Sequence, residues 1–274
     1  MLFFKKLRPI ALLSDFGSAD HYIGTVKAVI STLSPHTHIF DITHEISPGN
    51  ILSGAFILGA VFDWLPGNAV VWAVADPGVG SQRKILCAQI GNRYVIAPDN
   101  GLLSMLVRLY GEFPVRECDA ERIATFASRT PSATFHGRDI FAPAAVLLSL
   151  GRFSSVVGPH PGPCTPILLP EIFAATDENA AVSGRVLHCD RFGNAITSIM
   201  ADQLPAGKFL LRIDECAFRC DRFATTFSDV LQNEPMLFIG SAGFLEIAVR
   251  DGNAADRYGI VQNMRVLVSG RDEH

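Results

Sequence analysis

Four short polar segments carry the residues able to do chemistry. Ser14-Asp15-Phe16-Gly17 follows one apolar run, and Asp76-Pro77-Gly78-Val79-Gly80-Ser81-Gln82-Arg83 follows another. Ala97-Pro98-Asp99-Asn100-Gly101 follows a third, and Phe135-His136-Gly137-Arg138-Asp139 precedes a helical pattern. A carboxylate or an imidazole can take a proton from water, whereas an arginine stays protonated and only donates. Each segment alone has a plain structural use: Asp15 or Asp99 as a turn or N-cap residue, Arg83 as a solvated charge, His136 as a loop histidine. Together they put acid, base or glycine into four loops, and such loops converge on ligands at the carboxyl ends of strands in α/β sheets. His36, His38, Asp41, His44 and Glu45 form a second cluster with metal-binding residue types. A strand over residues 38–42 would send alternate side chains to opposite faces, so no metal site is expected there. No GxGxxG or Walker A loop occurs, and Gly240-Ser241-Ala242-Gly243 lacks the GxSxG spacing of a nucleophile elbow.

These residues need elements to hold them. Pro9–Leu13, His38–Ile42 and Ala69–Ala75 read as strands, the last apolar enough to be buried on both faces. Ile85–Ile90 and Tyr94–Ala97 flank a turn at Gly91-Asn92. Tyr22–Leu33, Ile51–Leu65, Leu102–Tyr110 and Ile140–Leu150 carry helical spacing. This alternation predicts an α/β N-terminal domain with a largely parallel central sheet. Prolines 159, 161, 163, 166 and 170 then interrupt the pattern. Beyond them Val182–Cys189, Ala195–Met200, Phe209–Ile213, Met236–Ile239 and Phe244–Val249 read as strands, with no helix expected. A small all-β, barrel-like C-terminal domain follows. The expected division is 1–165 for the α/β domain, 166–181 for a linker and 182–274 for the barrel.

The chain has 274 residues, 49% hydrophobic and 18% charged, with 23 Lys+Arg against 27 Asp+Glu and a net charge of −4. That balance excludes a general nucleic-acid binder, which needs a basic stripe. Six cysteines without a CxxC are too few for a disulfide scaffold and read as buried thiols of a reducing cytoplasm. The N-terminal Met-Leu-Phe-Phe-Lys-Lys-Leu-Arg places its charges after its apolar residues, unlike a signal peptide. No apolar stretch is long enough for a transmembrane helix. A cytoplasmic protein is the expectation.

The four segments, with Asp190-Arg191-Phe192-Gly193-Asn194 and Ser241-Ala242-Gly243-Phe244-Leu245-Glu246-Ile247-Ala248, resemble the S-adenosylmethionine hydroxide adenosyltransferases, relatives of the fluorinating and chlorinating enzymes. The likeness runs in order from about residue 10 to residue 250. It implies a homotrimer whose substrate lies between the N-terminal domain of one subunit and the C-terminal domain of its neighbour. It implies attack of water on the 5′ carbon of S-adenosyl-L-methionine (SAM), giving adenosine and L-methionine, with no cofactor and no metal. The family's catalytic set falls on Asp76, Arg83 and His136; which of Asp76 and His136 is the base stays open. Asp15 matches the carboxylate that takes the ribose hydroxyls. Phe192 and Asn194 match adenine positions, Asp190 and Ser241 match positions at the methionine amino and carboxylate groups, and Glu246 falls in that same pocket.

The halogenating relatives carry Tyr and Thr where this chain has Asp76 and Val79, and the fluorinating type has an insertion before the Pro-x-Asn-Gly loop. Both differences favour water over halide. Ala242 stands where those enzymes place an arginine on the methionine carboxylate, and Gly49 where the fluorinating type has a tryptophan. The rival readings are halide-dependent adenosyl transfer, a non-catalytic adenosine or SAM sensor, and a metallohydrolase using the His36–Glu45 cluster.

Overall fold

The computed structural model describes residues 7–159 and 162–270, so the N-terminal Met1–Lys6 reading, Pro161 and the last four positions of the expected barrel lie outside it. The chain divides into two compact units, Met1–Leu168 and Leu169–His274.

The first unit is built on β1 (Ile10–Ser14), α1 (Tyr22–Leu33), β2 (Ile39–Thr43), α2 (Ile51–Phe62), β3 (Val70–Val74), β4 (Ile85–Ile90) and β5 (Arg93–Pro98). It continues through α3 (Ser104–Tyr110), β6 (Val115–Glu117), α4 (Ala120–Ala127), α5 (Ala142–Ser149) and α6 (Phe153–Val157). The sheet order is β2-β1-β3-β5-β4-β6. The first four strands in that order run parallel, and β4 and β6 run antiparallel to their neighbours. Every residue of β1 and β3 is buried, as their unbroken apolar sequences require. Ile10, Leu12, Val70, Trp72 and Val74 pack with Val26 and Ile30 of α1 and with the wholly buried α5. The chain leaves β1 toward β2 and leaves β3 toward β4 and β5, in opposite directions across the sheet. That makes the β1/β3 edge the topological switch point, where loops splay and a crevice opens.

A π-helical turn, Gly137–Phe141, leads directly into α5. Pro143 has no N–H for the Asp139 carbonyl, and its ring would clash with that carbonyl in a regular helix. Widening to i→i+5 pairing, as in the bond from Ala142 N–H to the Gly137 carbonyl, relieves the conflict.

The second unit contains β7 (Ala175–Thr176), β8 (Val182–Cys189), β9 (Ala195–Met200), β10 (Phe209–Ile213), β11 (Phe218–Cys220), β12 (Pro235–Ile239), β13 (Phe244–Val249), α7 (Ala254–Tyr258) and β14 (Arg265–Gly270). The order β11-β10-β14-β8-β9-β13-β12 is antiparallel throughout. Backbone bonds between residues 222–224 and Leu237 bring its two edges together, so the barrel is nearly closed. Residues 170–172 form a 3₁₀ turn, and β7 pairs with β8. The expectation of no helix after residue 182 is corrected by α7. This short helix is N-capped by Asn253, whose side chain accepts the Asp256 N–H at 2.8 Å. All six cysteines are free thiols; Cys87, Cys118 and Cys220 are buried, while Cys164, Cys189 and Cys216 are only partly so.

Candidate active site

The parallel register sets Ser14 of β1 beside Val74 of β3. Asp15 therefore leaves the sheet next to the segment that reaches Asp76. Both acids line a cavity of about 340 Å³ with Phe16, Tyr22, Phe135 and His136. Three of the four polar segments are thus brought to one place.

Asp76 and Arg83 form a buried ion pair, with side chains 4% and 8% exposed. Arg83 Nε lies 2.7 Å from both carboxylate oxygens, and its Nη2 also donates to Oδ2. Such a fork fixes orientation as well as charge. The guanidinium also sits 5.5 Å from the Phe141 ring centroid. On its other side Arg83 Nη2 lies 3.3 Å from His136 Nδ1. Arginine can only donate, so Nδ1 accepts and the His136 proton belongs on Nε2. Burial, then the positive Arg83, push the His136 pKa below the usual histidine value. His136 is held neutral by the same arginine that clamps Asp76.

Asp15 Oδ2 accepts the Gly49 N–H at 2.7 Å. Burial, aided by the charge on Asp76, raises the Asp15 pKa above the ordinary carboxylate value against that bond. A desolvated carboxylate with spare lone pairs is suited to hydroxyl donors from a ligand. Ser14, fully buried, contacts His44 Nδ1 at 2.8 Å, which ties the end of β1 to the end of β2. His44 Nε2 is 3.1 Å from Asp41 Oδ1 but without the alignment of a hydrogen bond. Among the described residues, no three of His, Cys, Asp and Glu converge as metal ligands.

The third segment serves the backbone instead. Asp99 Oδ1 accepts the Ile167 N–H at 2.8 Å, and Asn100 Nδ2 donates to the Ala75 carbonyl at 2.8 Å. Sequence reasoning missed the aromatic wall. Phe16 packs edge-on to Trp72 and Phe135, with centroids 5.7 and 5.8 Å away, and Tyr22 meets Phe135 at 5.3 Å. Phe16 lay in a flagged segment, and Tyr22 read only as a helix position; their meeting is tertiary.

The barrel unit has its own cavity, about 730 Å³, lined by Asp190, Phe192, Asn194, Ser241 and Glu246 among others. Asp190 opens the β8–β9 turn. Its Oδ1 accepts the N–H groups of Phe192 and Asn194 at 2.9 and 2.8 Å, and its Oδ2 accepts Asn194 Nδ2 at 3.0 Å. Gly193 has φ +83°, and a Cβ there would strike Asn253. The turn thereby presents Phe192 77% exposed, while Asn194 stays buried. Ser241 sits on the β12–β13 turn, and Glu246 follows on β13. Burial, then Asp190, push the Glu246 pKa up to about 7.

Among the described residues, no helix is long and apolar enough to cross a membrane. Residues 10–158 match the SAM hydroxide adenosyltransferase N-terminal domain, and residues 184–267 match its C-terminal domain. The chain is 37% identical to an (R)-S-adenosyl-L-methionine hydrolase of Thermus thermophilus, covering 95% of this chain and 99% of that protein. A hydrolase of the same name from Methanocaldococcus jannaschii is 31% identical, with 90% of each chain covered. A fluorinase of Actinopolyspora mzabensis is 23% identical, with 96% and 97% covered. A solved structure of an uncharacterized conserved protein from Thermotoga maritima superposes with a TM-score of 0.83 at 33% identity, covering 95% of this chain and all of that one. Two matched domains in the expected order, and relatives above 30% identity along nearly the whole length, place the chain in the SAM hydroxide adenosyltransferase family.

Proposed function

We infer that this chain hydrolyses S-adenosyl-L-methionine to adenosine and L-methionine. The observation that carries the reading is the buried Asp76–Arg83 pair, backed by His136, at the mouth of the switch-point cavity of a chain from this family. Water attacks the 5′ carbon; the new C–O bond forms as the C–S bond breaks. The electron pair leaves on sulfur, and methionine departs as a neutral thioether. No acid is needed for that leaving group, so the protein's work lies on the nucleophile.

Asp76 is the acceptor that orients the water and draws off its proton, a role worth typically ~10²–10⁴-fold. His136 is the weaker candidate for it, because its Nδ1 lone pair is already directed at Arg83. Arg83 holds Asp76 in place and His136 neutral. Asp15 takes the ribose hydroxyls. Phe192 stacks on the adenine and Asn194 meets its edge, while Asp190 and Ser241 hold the amino-acid end together with Glu246. The working assembly in this reading is a homotrimer in which the first unit of one subunit and the barrel of its neighbour share each substrate. No metal takes part, and the protein works in the cytoplasm.

The test is incubation of chelator-treated protein with SAM in water labelled with heavy oxygen, followed by mass spectrometry. Adenosine carrying the label, together with methionine, supports water attack without metal. Intact SAM overturns the reading, and a 5′-halogenated product formed on adding chloride overturns water as the nucleophile.

A further inference from the structure

Two carboxyl groups face the barrel cavity, and the chain treats them oppositely. Three N–H donors converge on Asp190. The carboxyl of Glu246, a residue 9% exposed, receives no hydrogen bond from any described residue. Glu246 Oε1 lies directly over Gly240, where any Cβ would collide with it, so the carboxyl folds down beside the turn carrying Ser241. Among the described residues, no lysine or arginine lines the cavity. Among these lining residues a substrate carboxylate would meet acids, the Ser241 hydroxyl, the Asn194 amide and aromatic rings, and no cation.

We propose that Glu246 works as a neutral carboxylic acid, donating a hydrogen bond to the substrate's α-carboxylate while Asp190, in the same cavity, takes the α-ammonium. The proposal rests on the reading of SAM as substrate and adds the group that holds its carboxylate, the place left without a side-chain cation by Ala242. A buried carboxyl with no donors is expensive to ionise and cheap to protonate. Once protonated, it has one O–H to give, and a ligand carboxylate is the strongest acceptor available to it. Pairing a donor-rich carboxylate with a donor-poor carboxylic acid matches the two ends of an amino-acid zwitterion. Environments that push two acids apart are how one site runs both roles.

The groups facing Glu246 are consistent with this. Asp190 raises its pKa, and Asp251 lies at the cavity rim. On the sheet, Glu246 is flanked in register by Phe238 of β12 and Ile196 of β9, with His188 of β8 one strand further. Burial lowers the His188 pKa, which disfavours a cation there. Arg250, next along the chain, donates to the Val230 carbonyl and lies beside Asp251.

The experiment is the KM for SAM from pH 6 to 8.5, for wild type, E246Q and E246A. Ionisation of a group near pH 7 weakens binding by about tenfold per unit above it, so the wild-type KM rises about 30-fold across the range. The glutamine amide donates at every pH, so E246Q stays close to wild type at pH 6 and lacks this rise. The substrate's own ammonium also titrates, and the ratio of wild type to E246Q removes its contribution. E246A raises KM about tenfold at pH 6 on SAM but not on decarboxylated SAM. The proposal is overturned if E246Q already weakens binding tenfold at pH 6, if wild type and E246Q titrate alike, or if the E246A penalty persists on the decarboxylated substrate. Should wild type fail to turn over SAM, the functional reading fails; the same pH series is then read as calorimetric binding of L-methionine, and an unchanged difference between wild type and E246Q there rejects the Glu246 role separately.

Discussion

Asp76 and His136 are coupled through one side chain, and that coupling decides how each should respond to change. Arg83 contributes donors to both, so neither residue is independent of it. Asp76→Ala removes the acceptor proposed for the attacking water and leaves the guanidinium without its carboxylate. It should lower kcat by about 10²–10⁴-fold while substrate binding, measured by calorimetry, survives; near-normal turnover removes Asp76 from the chemistry. His136 gives a pH prediction with a definite sign. Its folded pKa lies below the unperturbed 6.5, so it stays neutral to lower pH than a free histidine. Protonation would put an N–H on Nδ1 against the Arg83 donor and break the clamp. As pH is lowered, kcat should therefore hold through pH 6.5 and fall only below it. Folding follows the same sign: the neutral histidine's contribution is full above 6.5 and is lost as pH falls through the folded value. An acid limb of kcat that sets in already above pH 7 contradicts this arrangement.

At the level of elements, the site depends on loops pressed against one another. Gly80 has φ +79°, and a Cβ there would strike the Ala133 carbonyl. That contact joins the Asp76–Arg83 loop to the segment leading into His136 and the π turn. Gly80→Ala should cost about 1–3 kcal/mol through backbone strain and displacement, read as a lowered Tm. It should also lower kcat more than it raises KM, because it moves Arg83 relative to His136 and leaves Asp15 in place. A variant with unchanged Tm and kcat would show that the two loops are held by other means. The strands bearing these loops were legible in the sequence because residues 10–13 and Val70–Val74 are unbroken apolar runs. β6 and β11 were not, being three-residue strands at the ends of their sheet orders, too short to show a period. Asp15, Asp76 and Arg83 stood out by type and position after strands, and His136 by its place just before a helical pattern. The uses of Asp99 and Asn100 could not be separated from catalysis by type alone, since a carboxylate that accepts a backbone N–H reads the same as one that binds a ligand. The donor count at Glu246 was equally hidden, because alternation along β13 says which face a residue takes and nothing about which N–H groups reach it.

At the scale of the whole molecule, each unit carries a cavity of its own character, and the proposed reading divides the chemistry of one substrate between them. The first unit holds Asp76 clamped by Arg83, with Asp15 and His136 beside it; the barrel holds an exposed Phe192 and a pair of acids. Neither set alone accounts for a nucleoside, a sulfonium and an amino acid. Sharing of each substrate by neighbouring subunits is a heterologous contact, which closes into a ring in a trimer. It makes a prediction that shared folding of one chain does not. Asp76→Ala damages only the first-unit half of a site, and Asp190→Ala only the barrel half. Each homotrimer should be close to inactive. Refolded together in equal amounts, their subunits mix, and a site is whole when it draws its first half from the Asp190→Ala chain and its barrel half from the Asp76→Ala chain. Random assembly gives each half an even chance of being sound, so about a quarter of the wild-type activity should return. Mixed trimers verified by native mass spectrometry but without recovered activity would assign both halves to a single chain, because in that arrangement every site carries one of the two lesions however the subunits are combined.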